Sequence, residues 1–181
     1  HLPMALVALD RMGASRQRLE AYAAQYAKRR RLQPARAAAT WPAGEAWASR
    51  LGQPDAWPIY RDLFTQWLHH ESAGAVLSQV LPALMPGCAA SAFHGVIRTA
   101  YGLQAEHVGE VVEGLAYWAA THQALGDRPV DVVADTVDPL ELLRELHAVE
   151  STAGLITLRM NDAARDGSIN RVAARLIIDV H

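Results

Sequence analysis

Two apolar segments with helical periodicity, 89–103 and 108–125, are separated by only a few residues. A joint that short leaves antiparallel packing as the default, so this pair predicts a helical hairpin around which the rest must assemble. The neighbouring chain follows the same period. Leu19, Tyr22, Ala23 and Tyr26 fall on one helical face, as do Leu63, Phe64, Trp67 and Leu68. Segments 2–12, 59–70, 75–85, 154–164 and 168–180 add further helices, and Asp138-Pro139 has the form of an N-cap followed by a first-turn proline. The expected architecture is all-α, a bundle of roughly eight or nine helices.

Three stretches depart from that pattern. Residues 33–58 hold four prolines and three tryptophans (Trp41, Trp47 and Trp57), which argues against a long helix but for a connection that packs back onto the body, with room for a short helix over 45–51. Gly126-Asp127-Arg128-Pro129 marks a break. Residues 130–137 form the one β-like run, with aspartates interspersed, and predict at most a short strand or an extended connector.

With 51% hydrophobic and 20% charged residues the chain has enough apolar surface for a real core, which excludes disorder as a description of the whole. The net charge of −2 supplies no electrostatic reason to expect nucleic acid, and the basic run Lys28-Arg29-Arg30-Arg31 reads as a cationic helix terminus. No stretch approaches the roughly 18 to 20 apolar residues of a membrane helix, so no membrane partner is expected. One cysteine, Cys88, excludes an internal disulfide and reads as a small packing residue.

Eight histidines are many for a chain whose single lysine is Lys28. They invite a metal hypothesis, yet no Glu-x-x-His, His-Glu-x-x-His or His-x-x-x-His spacing is present, so any metal ligands must come from separate helices. His69 and His70 point about 100° apart on a helix and are poor joint ligands. His107 reads as a polar residue at a helix start, His122 as a cation suited to a helix C-terminus, and His147 as core-edge or surface. His94 differs. It shares one helical face with Arg98 and Tyr101 at i, i+4 and i+7, in a segment that also holds Gly95 and Gly102. Glycines inside a helix suggest close approach by another helix or by a ligand, and the polar triplet reads equally as a lined pocket or as a buried hydrogen-bond network. No nucleophile elbow, P-loop or dinucleotide fingerprint is present.

Three segments carry a resemblance. They are His1-Leu2-Pro3-Met4-Ala5-Leu6-Val7-Ala8-Leu9 with Leu19-Glu20-Ala21-Tyr22; Leu81-Pro82-Ala83-Leu84-Met85-Pro86-Gly87 leading into Phe93-His94-Gly95-Val96-Ile97-Arg98 and Tyr101; and Glu113-Gly114-Leu115-Ala116-Tyr117-Trp118-Ala119. Together they resemble the questin oxidase-like family, clearly over 1–125 and faintly beyond. The resemblance implies a helical oxygenase that oxidises or ring-opens a polycyclic aromatic, polyketide-type substrate with dioxygen, in a Baeyer–Villiger-like step drawing on NADPH. It also implies a non-haem iron held by several histidines and a carbamylated lysine. Carried over, His1 and His94 would be iron ligands, with Arg98 and Tyr101 as catalytic side chains along the pocket wall.

Lys28, in its basic helix terminus, does not suit the carbamylated position, and His122, His147 and His181 stand as substitutes among which no motif chooses. The competing reading is a non-catalytic helical binding module, in which the histidines disperse and Arg98 pairs with Glu113. The chain starts at His1 and stops inside the apolar pattern Leu176-Ile177-Ile178-Asp179-Val180-His181. Both ends read as cut, and 1–181 as one helical domain belonging to a longer cytoplasmic oxidoreductase.

Overall fold

The computed structural model describes residues 1–31, 39–124, 131–146, 154 and 156–176. Among them run nine α-helices: α1 (Leu2–Arg11), α2 (Arg16–Arg30), α3 (Trp57–His70), α4 (Ala73–Leu84), α5 (His94–Gln104), α6 (Val108–Ala120), α7 (Pro139–Glu145), α8 (Ile156–Asp166) and α9 (Ser168–Ala173). No strand occurs among the described residues. The described part of the β-like run contributes a single bridge, Thr136 to Leu176, with the Asp135 and Thr136 amides donating to the Arg175 carbonyl and the Asp135 carboxylate paired with the Arg175 guanidinium. The Gly126–Pro129 break, His147 and His181 lie outside the described residues.

Helix boundaries follow local chemistry. Ser15 caps α2 by accepting from the Arg18 amide at 3.3 Å, Ser72 caps α4 through the Ala75 amide at 3.2 Å, and Asp138 caps α7 through the Leu140 amide at 2.9 Å, with Pro139 next to it. Gly13 closes the α1–α2 joint at φ +83°, where an L side chain would be strained. Lys28, Arg29 and Arg30 occupy the last turn of α2, where cations offset the exposed carbonyls.

α5 and α6 form the expected hairpin, and its register can be read from three close approaches. A Cβ on Gly102 would fall 2.7 Å from the Val111 nitrogen, one on Gly114 would fall 2.5 Å from Thr99 Oγ1, and one on Gly95 would fall 2.5 Å from Trp118 Cβ. Numbers rise on α5 as they fall on α6, so the helices are antiparallel. The intrahelical glycines are thus explained by a neighbouring helix rather than by a ligand.

α6 is the central element, with Leu115, Ala116 and Ala119 fully buried. α3 packs across it, with Tyr60 and Phe64 fully buried, and α4 adds Val76, Val80 and Leu84. Each large side chain taken from water here contributes about 1.5–3 kcal/mol.

The Pro/Trp segment covers this core as a wall. Trp41 and Trp47 pack on it, with Trp41 centred 5.2 Å from the Tyr60 ring and Trp47 6.2 Å from Trp67. Among its described residues the helical parts before α3 are two 3₁₀ turns, Trp47–Arg50 and Pro54–Ala56. Burial pushes the Tyr60 phenol well above its ordinary range, and the protonated hydroxyl donates to the Trp47 carbonyl at 3.0 Å.

Candidate functional site

α1 lies on α5 in parallel, and two contacts with the same sequence offset show it. His1 meets His94 at the N-terminal ends, and the Arg11 guanidinium donates to the Gln104 carbonyl at 2.5 Å at the C-terminal ends. This packing brings together two histidines that the sequence separates by 93 residues. Their Nε2 atoms are in direct contact, with ring centroids 4.4 Å apart and planes crossed at 78°.

The orientation of His94 is set by an unusual turn. Ser91, Ala92 and Phe93 take left-handed values, φ +50°, +55° and +63°. None is glycine or asparagine, and each such residue costs about 1–2 kcal/mol. The turn aims the Ser91 carbonyl at His94 Nδ1, 2.6 Å away. A carbonyl only accepts, so Nδ1 carries the proton and, in the neutral ring, Nε2 presents a lone pair. The contacting Nε2 of a neutral His1 therefore donates. The expected helix over 89–103 begins only at His94 for this reason: the chain before it turns left-handed to build the carbonyl support. Nothing in Ser-Ala-Phe signals positive φ, so sequence reasoning missed it.

Arg98, one turn after His94, binds Glu110 Oε2 at 3.0 Å through Nε and lies 3.6 Å from Glu113 Oε2 through Nη1. Arg61 of α3 takes the other Glu113 oxygen at 2.5 Å. Four charges alternate across α3, α5 and α6 and cancel, so Arg98 brings little net positive field to the histidines. This is the structural ion pair of the competing reading, while the converged histidines belong to the leading one. Tyr101 is half-buried two turns along α5. Phe93 and Ile97 form an exposed apolar ledge next to His94.

The other histidines do not join the pair. His69 and His70 stack edge to face at the end of α3, with centroids 4.9 Å apart. His107 caps α6, its Nδ1 accepting from the Glu110 amide at 3.1 Å. His122 reverses its expectation. Burial drives its pKa down, against a smaller upward pull from the Ala83 carbonyl, so it is held neutral rather than serving as a helix-end cation. Cys88 is partly buried against the core, as a packing residue should be.

Two imidazoles from separate helices, one with its far nitrogen bound to a carbonyl, are the donor set and outer-shell support that a divalent transition metal takes. Among the described residues no group of three or more His, Cys, Asp or Glu is arranged around one point, and Lys28 is exposed at the end of α2. The pair therefore fits part of a metal's coordination sphere, two neighbouring positions.

No curated protein and no solved structure matches the chain. A family model described as questin oxidase-like matches residues 1–180, beyond the 1–125 over which the resemblance is legible by motif. No helix among the described residues is long and apolar enough to cross a membrane. The chain belongs to the questin oxidase-like family, and its family points to an oxidoreductase-type function.

Proposed function

We propose that the chain is an oxygenase acting on a polycyclic aromatic, polyketide-type substrate, with His1 and His94 holding part of a non-haem iron site. The observation that carries this reading is the contact of two Nε2 atoms delivered by different helices, one of them oriented by the strained turn at 91–93. Strain of that kind persists where the surrounding structure enforces it, and functional sites are where it clusters. The iron, when bound, would supply a Lewis-acidic, redox-active centre for dioxygen.

The chain's own residues do the rest. The Ser91 carbonyl keeps His94 Nε2 free of a proton. His1 must shift its proton away from Nε2 before both rings can ligate, so metal uptake favours the deprotonated pair. The Phe93–Ile97 ledge offers an apolar face to a flat ring system. Arg98 and Tyr101 face the substrate in this reading, Arg98 with Glu110 and Glu113 beside it and hence as a hydrogen-bond donor rather than a free cation. Insertion of one oxygen atom leaves the other to depart as water, which requires two electrons and two protons. NADPH and a proton supply these, and the cytoplasm is the compartment we assign.

The test is iron content of anaerobically purified protein alongside His94→Ala. Near-stoichiometric iron that disappears in the variant is expected; iron retained in His94→Ala removes His94 from the site. The second reading, a helical binding module without metal, is favoured by one observation, the neutralised Arg98–Glu113 pair. It is the reading left standing if neither sample holds metal.

A further inference from the structure

The left-handed turn that orients His94 lies between a cavity and a helix. On one side Ser91 lines a cavity of about 370 Å³ together with Gly52, Pro54 and Thr121, so the turn has room to move. On another, α8 packs against the same segment, Ala90–Phe93; apart from α5 it is the helix most closely applied to it. The other close helical neighbour of α8 among the described residues is α9. Met160, Ala163 and Ala164, three and four residues apart, make a half-buried face of α8, while Leu158, Arg159, Arg165 and Asp166 are exposed.

Local sequence opposes the turn. Ala89, Ala90 and Ala92 are the strongest helix formers, and the period of 89–103 is that of one helix begun at 89. The segment therefore has a competing conformation, a right-handed start that extends α5 backwards. There the Ser91 carbonyl points along the helix axis and accepts from the Gly95 amide, four residues on, so it no longer meets His94 Nδ1. The turn's own closing bond, from the Phe93 amide to the Ala89 carbonyl, is 3.3 Å long and does not offset three strained residues. Packing from outside must supply the rest.

We propose that α8 is the positioning element of His94: docked on Ala90–Phe93 it holds the left-handed turn, and when it leaves, the turn relaxes into α5 and the ring loses its carbonyl support. The turn is a two-state element, and α8 biases it by binding one state only. This deepens the reading of His94 as an iron ligand and rests on that reading for its consequence, that the docked C-terminal layer keeps the ligand ready for metal.

The test is hydrogen exchange by NMR on metal-free full chain with isotope-labelled backbone and histidine rings. Ala163→Asp with Ala164→Asp puts two charges on the half-buried face of α8 and should release it, seen as faster exchange of the α8 amides with α5 and α6 unchanged. The His94 Nδ1 proton should then exchange about tenfold faster or more. Ala92→Gly should rescue it: glycine takes positive φ freely and is a poor helix former, so the turn persists without α8 and the acceleration falls below about twofold. A merely structural loss would not be rescued at that position. Should the double variant fail to fold, Arg175→Ala loosens the layer from a distance, and the α8 and Nδ1 rates should rise together, again with rescue by Ala92→Gly. Three results overturn the proposal: α8 amides unmoved by two charges on that face, an Nδ1 proton unchanged while α8 is released, or equal acceleration in the Ala92→Gly background. Because metal is absent throughout, none of these depends on whether the iron reading survives.

Discussion

The α5–α6 hairpin and the described C-terminal layer, α7 and α9 with the 131–137 connector, are held by different forces. The hairpin is held by shape. Three glycines bring two backbones so close that no Cβ fits, and eight residues of α6 are buried. In the layer α7 buries only Leu142 and α9 nothing, while Leu140 and Leu143 are exposed. What ties the layer together is polar. Arg175 pairs with Asp135 at 3.0 Å and with Glu145, and its carbonyl accepts from the amides of Asp135 at 2.9 Å and Thr136 at 3.2 Å. Exposed pairs of this kind contribute little, so the two regions should differ in stability and open separately. The candidate iron ligand His94 is the first residue of the closely packed hairpin, where side chains can be positioned precisely.

The largest expected effect tests the hairpin. Gly114→Val would drive carbon into Thr99 Oγ1 and, 2.6 Å away, the Thr99 backbone nitrogen, which cannot yield as a side chain can. A loss of about 3 kcal/mol or more is expected in urea denaturation, and a near-neutral result would show that the helices are not as close as described. Leu142→Ala should cost about 2 kcal/mol, from removal of the one buried side chain of α7. Hydrogen exchange should speed up over 139–145 and leave α5 and α6 unchanged; equal acceleration in both would mean the regions unfold as one.

Arg175→Ala is a smaller perturbation. Faster exchange of the Asp135 and Thr136 amides is expected, with no change in the urea midpoint of the hairpin.

The smallest effect concerns pH. His122 has a folded pKa below its unfolded value, so as pH falls below about 6.5 the unfolded chain takes up a proton that the folded chain refuses. Its contribution is intact above that pH and is lost as pH falls through the folded value. His122→Gln should flatten this part of the stability profile relative to the parent chain, and identical profiles would show that His122 is accessible to protons in the folded state.

Much of this fold is legible from local chemistry. The caps at Ser15 and Asp138 and the hairpin joint depend on residues within a few positions of one another, and so do the stops around Gly13. Local rules read such features directly. The failures are equally instructive. His122 looks like a helix-end cation because its own helix has a polar end; burial comes from Gly52 and Gly87, tens of residues upstream. The helix start at 89 moves to 94 because a left-handed turn is imposed by packing on residues with no intrinsic taste for it.

The sequence by itself determined that the chain is helical, where most helices begin, and that Gly95 and Gly102 mark a close approach. Periodicity and capping act over one or two turns, and that is enough for them to be written locally. Only tertiary structure decided that the approaching surface is α6, that Arg98 is neutralised by Glu110 and Glu113, and that α1 lies parallel to α5. That last choice sets His1 against His94, because a shared site between distant segments exists only through the relative placement of their helices, and placement depends on side chains that no local window contains.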